Sequence, residues 1–433
     1  MKNDLTLYRA YIISPVSTTQ VDAFSDGALV VDKRGQIIDV GDYAKIKAKN
    51  YIFSQTHEFS DYLIIPGFID LHVHLPQITM TGSWGKNLLS WLNTYIFEAE
   101  AKMADLDWSR QITEYFYNQL LKNGTTCAVV FASSQYESTR LAFNIALQRN
   151  IRLIMGQVLM DVNAPEKILQ PCSKAIDESH KLYEQFHEKN NGLLHYALTP
   201  RFAITSTEEL LFQTGKLYKS LPGCYLQTHL AESIEETGHV KTQFKGSKSY
   251  TNLYLDNDLL GRKSILAHCI YLNDDDCKTI KKTDSKIAHC PSSNFFLKSG
   301  KFNYDLVKKH NITFGLGSDI AGGPDINIRS SMKDAYYMQF DHFISPYELF
   351  YLGTLAPALA LGQENKIGAL ACGLDADFQV LKYNLPINLY PSLKNLEPGE
   401  ILSKLIFNKN SFVNDKTFVR GQCLYDLTIN ENF

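Results

Sequence analysis

No C-x-x-C pair stands among the eight cysteines of this 433-residue sequence (127, 172, 224, 269, 277, 290, 372 and 423). Scattered singly through a long chain, they read as reduced core residues and carry no function. Charge of one sign is not in excess either. The 43 basic and 46 acidic residues leave a formal net charge of −3, which gives no drive toward nucleic acid or an anionic membrane. No apolar run approaches the roughly 18 residues that would span a bilayer. The segment from Met1 to Pro15 interrupts its apolar residues with charges and lacks a signal-peptide core. Repeats and low-complexity tracts are missing, which excludes solenoids and propellers. The expectation is a cytoplasmic protein with no nucleic-acid partner and no membrane partner.

What is present is ordinary globular composition, 45% hydrophobic and 21% charged, which excludes disorder. The length suits one barrel of about 250 residues with a smaller companion. Residues 8–15 and 27–40 read as short strands, with Asp32-Lys33-Arg34-Gly35 as a turn, and residues 377–381 and 417–425 repeat that character. The two ends are therefore expected to meet in a small β-sandwich domain, residues 1–65 with 373–433. Between them, eight short apolar segments (67–73, 125–131, 152–160, 194–199, 224–228, 264–267, 286–289 and 312–317) alternate with helical stretches such as 108–122, 138–150, 175–189 and 206–221. That alternation predicts an α/β fold, a (β/α)8 TIM barrel over residues 66–372. Ser206-Thr207-Glu208-Glu209 supplies capping-box residue types at one helix start.

The informative feature is where polar residues fall on those strands. In Asp70-Leu71-His72-Val73-His74 the two histidines are two apart, so strand periodicity puts both rings on one face at the mouth of the barrel. Alone, H-x-H is a weak signal, as compatible with core packing as with metal. Four more strand ends add weight: His229, His268, His289 and Asp319 close the segments from the fifth to the eighth. Residues at C-terminal barrel ends are where such folds do chemistry. His72, His74, His229 and Asp319 can hold Zn²⁺ with a position open for water, lowering the water's pKa toward about 7. Attack on an electron-poor carbon then needs a proton donor, and Glu232, three residues beyond His229, is placed to serve.

On these residues the chain resembles the amidohydrolase superfamily, in its mononuclear purine-deaminase branch, and there the guanine deaminases. The similarity runs from Pro66-Gly67-Phe68-Ile69-Asp70 to Gly373-Leu374-Asp375-Ala376-Asp377-Phe378. It is carried by His72-Val73-His74-Leu75-Pro76-Gln77, by Leu92-Asn93-Thr94-Tyr95-Ile96-Phe97-Glu98-Ala99-Glu100, by Leu198-Thr199-Pro200-Arg201-Phe202-Ala203, and by Ala288-His289-Cys290-Pro291-Ser292-Ser293-Asn294. No lysine suited to bridging two metals ends the fourth strand, so the resemblance implies one zinc ion per chain on His72, His74, His229 and Asp319. It implies substrate contacts from Gln77, Arg201, Phe202, Glu232 and His268, with the ligands His74, His229 and Asp319 beside the same substrate. Glu232, Asp319 and His268 are the expected catalytic groups. The implied reaction is hydrolysis of guanine at C2 to xanthine and ammonia, in a homodimer. Guanine offers O6 and N7 as acceptors, onto which Arg201 can fork, and the amide of Gln77 can donate or accept. The competing readings keep the mechanism and change the ring to another aminopurine, a pterin or a triazine, or make the chain a non-catalytic barrel paralogue.

Overall fold

Alternating apolar residues near the start build four strands, β1 (Leu5–Pro15), β2 (Val21–Asp32), β3 (Ile37–Asp42) and β4 (Phe53–Pro66). They belong to a computed structural model that describes residues 4–386 and 388–430. Next come β5 (Phe68–His74), β6 (Thr125–Phe131), β7 (Arg152–Gly156), β8 (Val158–Leu159), β9 (Leu194–Pro200), β10 (Tyr225–Leu230), β11 (Ser264–His268), β12 (Lys286–His289) and β13 (Phe314–Leu316). The C-terminal part adds β14 (Phe378–Tyr383), β15 (Phe412–Val419) and β16 (Gln422–Asp426).

The chain forms two compact units. One comprises Met1–Ile69, Asn118–Cys127 and Asn327–Phe433, the other Asp70–Tyr117 and Ala128–Ile326. Residues 327–372, which the sequence groups with the barrel, count with the first unit by compactness. In that unit both chain ends enter one hydrogen-bonded sheet of seven strands, in the order β16-β15-β14-β4-β1-β2-β3. The expected sandwich thus takes the form of one continuous sheet, antiparallel except where β1 runs parallel to β4. Leu29, Val31, Ile64 and Phe378 pack into one apolar cluster, and Leu7, Ala28, Val30 and Ile46 into another. The turn after β2 forms as read. Gly35 donates its N–H to the Asp32 carbonyl at 2.9 Å with φ of +78°, and a Cβ there would sit 1.8 Å from the Arg420 carbonyl oxygen.

β5 to β13 form the second sheet, eight strands in the order β13-β12-β11-β10-β9-β7-β6-β5 with β8 pairing β9 at its side. The strands from β9 to β13 pair in parallel. The sheet is a nearly closed barrel. Its ends approach where Asp319 donates its N–H to the His72 carbonyl at 2.8 Å. Gly317 permits this, since a Cβ on it would lie 2.9 Å from Cβ of His72. Helices Leu106–Lys122, Tyr136–Arg149, Cys172–Phe186 and Glu208–Ser220 follow the expected stretches to within three residues at either end. The last is capped by Thr207, whose Oγ1 accepts the Leu210 N–H at 3.1 Å.

Three elements differ from expectation. Residues 417–425 divide between β15 and β16, which pair antiparallel about a turn where Arg420 and Gly421 take positive φ. Residues 152–160 form two strands, because the chain passes so close to β9 at Gly156 that a Cβ would meet the Ala197 carbonyl oxygen at 1.7 Å. β4 was not anticipated. Most of its residues before Leu63 are exposed or half-buried, so no one-sided apolar alternation marks it.

Candidate metal and active site

Every residue of β5 is buried, and its period of two brings Asp70, His72 and His74 to one face. Asp70 accepts from the Ser318 hydroxyl, from the Ser318 N–H at 3.0 Å and from the His72 N–H at 3.1 Å. Burial pushes its carboxyl up to about 6 against those three bonds.

His72, His74, His229 and Asp319 converge, as the sequence predicts. His74 Nε2 lies 3.2 Å from Nε2 of both His72 and His229. Asp319 Oδ1 lies 3.2 Å from His72 Nε2 and 3.4 Å from His74 Nε2. Burial, reinforced by the crowding of the rings, lowers all three histidines, His74 to about 3. Lowered in this way, the rings favour the neutral form, the one in which an imidazole can ligate a metal. His229 uses Nδ1 to donate to the Arg201 carbonyl at 2.7 Å, which turns the lone pair of Nε2 toward the cluster. Such a set holds more lone pairs than protons to separate them, an arrangement that a divalent cation satisfies.

His268 ends β11 with φ of +67°, and Asp319 follows β13 with φ of +48°. Non-glycine residues held in the left-handed region concentrate at functional sites. His268 Nδ1 donates to Asn294 Oδ1 at 3.0 Å, and its Nε2 lies 3.5 Å from Glu232 Oε2 and 3.6 Å from Asp319 Oδ2. Glu232 accepts from the Ser299 hydroxyl at 2.9 Å. Burial, with the charge of Asp319, pushes it up to about 8. Burial also acts on Asp319, but the adjacent His72 and His74 outweigh it and hold that carboxyl well below its usual range. Two neighbouring carboxyls are thereby driven apart, one kept protonated and one ionised at neutral pH, the pattern of an acid and base pair.

Gln77, Arg201, Phe202 and Glu232 line one cavity with His74, His229 and Asp319, so four of the five further predicted substrate residues meet three of the four predicted metal ligands there, while His268 and His72 are not among its lining residues. Leu88, Trp91, Leu92 and Leu297 complete its wall and were not foreseen as site residues. The first three sit on helical turns from Leu88 to Lys102 that widen to a π-helical turn at Leu92–Ile96, a distortion common at functional sites. Glu100, on the same turns, was also missed, although it closes one of the quoted stretches. It is buried and pairs with Arg201 at 2.5 Å.

Two other residue groups could be mistaken for metal sites. Cys290 lies near His72, His268 and Asp319, but burial raises its thiol well above the usual value, which disfavours the thiolate a metal needs. His187, Glu188 and His195 form the other. There His187 Nδ1 accepts the Tyr196 N–H at 3.2 Å, so the ring proton sits on Nε2 and that nitrogen offers no lone pair.

The amidohydrolase family profile matches residues 63–424. Guanine deaminase of Escherichia coli (strain K12) is 35% identical over 373 residues, 86% of this chain and 84% of that protein. Guanine deaminase of Dictyostelium discoideum is 30% identical over 95% of each chain. Among solved structures, E. coli guanine deaminase superposes with a TM-score of 0.92 at 31% identity, covering 97% of this chain and 99% of its own. Guanine deaminase from C. acetobutylicum, with guanine bound in the active site, superposes with a TM-score of 0.89 at 28% identity over 97% and 100% of the two chains. The chain belongs to the amidohydrolase family and, within it, to the guanine deaminases.

Proposed function

We propose that the protein hydrolyses guanine at C2 to xanthine and ammonia. The observation that carries this reading is the single cavity that Arg201, Gln77 and Phe202 line together with His74, His229 and Asp319, three members of the His72–His74–His229–Asp319 cluster. Relatives named guanine deaminase, similar over most of their length, and a relative's structure with guanine bound support it. Amidohydrolases depend on a bound metal, and a His/Asp cluster of the right composition is present. The ligand set of three imidazoles and one carboxylate favours zinc, one ion per chain. When bound, it supplies Lewis-acid activation of a water molecule at neutral pH.

The chain's own groups do the rest. Phe202 covers the purine face. Arg201 donates to its acceptors. Gln77 donates with Nε2, because its Oε1 takes the Ala321 N–H at 3.3 Å. Glu232, protonated at neutral pH, gives its proton to ring N3 as the C2–O bond forms and takes the first proton of the attacking water in its place, so negative charge does not accumulate on N3 and the carboxyl is restored for the next turnover. Asp319 takes the hydroxyl proton and passes it to the leaving amine, and His268, anchored by Asn294, orients the attacking water. Residues 66–372 are the catalytic domain in this reading.

The finer parts of the proposal are a cytoplasmic location and a homodimer. Among the described residues no helix is long and apolar enough to cross a membrane. Tyr337, Phe340 and Phe343 are 56%, 85% and 73% exposed and are the apolar surface that a second copy would cover. Ammonia release from guanine, against a panel of other aminopurines, a pterin and an aminotriazine, tests the function. Preference for another ring would overturn the guanine reading, and a mass of one chain in solution the dimer.

A further inference from the structure

Arg201 and Glu100 are a buried ion pair, 3% and 1% exposed, with Nη1 and Oε1 2.5 Å apart. Glu100 Oε1 also accepts from Gln77 Nε2 at 3.3 Å. Its other oxygen, Oε2, is buried and meets no hydrogen-bond donor. The negative charge of Glu100 therefore acts on Arg201 and Gln77, the two polar groups that enter the cavity from this side. On the cavity side Arg201 shares the wall with His74, His229, Glu232 and Asp319. Of the groups facing Arg201, Glu100 is the carboxylate bonded to it.

The charge states of substrate and product differ. Guanine is a neutral base near neutral pH. Xanthine, with carbonyls at both C2 and C6, gives up a ring proton far more readily and is partly anionic under the same conditions. An arginine without a countercharge would bind that anion tightly and retain the product. We propose that Glu100 is a specificity residue whose carboxylate cancels the charge of Arg201 toward the cavity, so that the site selects a neutral purine and lets the product leave as its monoanion. This rests on the guanine-deaminating reading. Glu100 acts through Arg201 and Gln77 and touches no reacting atom.

The test is inhibition of guanine turnover by xanthine and by hypoxanthine, which lacks the C2 oxygen and ionises less readily, using the metal-replete enzyme on both sides of the ionisation of xanthine. In the wild type, inhibition by xanthine should weaken as it ionises while that by hypoxanthine holds steady. In Glu100→Gln the amide still reaches Arg201 but the countercharge is gone. Anionic xanthine should then inhibit at least about ten-fold more strongly relative to hypoxanthine, the least effect expected of one uncompensated charge nearby. A purely structural role would weaken both inhibitors together, and that result overturns the proposal. Should Glu100→Gln fail to fold, the wild-type series decides, since equal inhibition by neutral and anionic xanthine is fatal to it. If the wild type releases no ammonia from guanine, the functional reading falls and the inference with it. An unchanged inhibitor ratio in a guanine-active enzyme overturns the inference alone.

Discussion

Ser318 donates both its hydroxyl and its N–H to Asp70, which ties the residue after β13 to the middle of β5. The next residue but one along β5 is His72, and the residue after Ser318 is Asp319, so this bond sets the spacing of two groups in the cluster. Asp70 is an acid raised in the folded state, from 3.8 to about 6. Its contribution is most favourable while it is protonated and diminishes as pH rises through that window. Ser318→Ala removes a donor to the ionised form and should raise Asp70 further. The variant is expected to lose about 1–3 kcal/mol, with a larger deficit at neutral than at acid pH. Urea denaturation of metal-free protein at two pH values measures it.

His72→Ala should lose metal and activity together while the fold persists. The three remaining ligands leave a weakened site, whereas the packing of the outer helices does not involve this ring. Metal analysis with circular dichroism checks the prediction. Two ions per wild-type chain, or full activity after exhaustive chelation, would contradict a single-metal site.

Glu232→Gln keeps shape and hydrogen-bonding reach but cannot cycle a proton. Metal content and guanine affinity should be retained while kcat falls at least about a hundred-fold. The wild-type rate should decline as pH rises through about 8, where Glu232 gives up its proton. The residual rate of the variant should lack that limb. Loss of metal in this variant would make Glu232 a ligand instead.

Arg201→Ala should lower kcat/KM for guanine roughly ten- to a hundred-fold, since purine acceptors lose a charged donor worth on the order of 1–3 kcal/mol. Metal content should hold. Stability should fall by about 3–5 kcal/mol, because Glu100 is left as an uncompensated buried charge. Adding Glu100→Gln should restore much of that stability without restoring turnover, a double-mutant cycle that separates the two roles.

These outcomes turn on residues whose visibility in the sequence differed for physical reasons. His72, His74, His229, His268 and Asp319 were legible because strand periodicity fixes the face on which a side chain emerges, and barrel ends are where polar side chains are useful. Glu100 was not singled out because it lies on helical turns whose register is shifted by the π-helical turn, so spacing does not reveal which face is buried. β4 was invisible because much of it carries no one-sided apolar pattern, and the break at Gly156 depends on a neighbouring strand's backbone. Local pattern reports local burial. It does not report what a distant strand brings alongside.

The bond from His229 Nδ1 to Arg201 runs to the main-chain oxygen. Any residue at position 201 supplies a carbonyl, so the side chain there can drift without disturbing the imidazole that the carbonyl aims. The substrate-facing part of this loop is thus mutationally separable from the metal-facing part. A lineage, or an engineer, that changes residue 201 together with its buried partner Glu100 can explore new ring specificities while inheriting the hydrolytic centre intact, which suits the scaffold to diversify its substrates more readily than its chemistry.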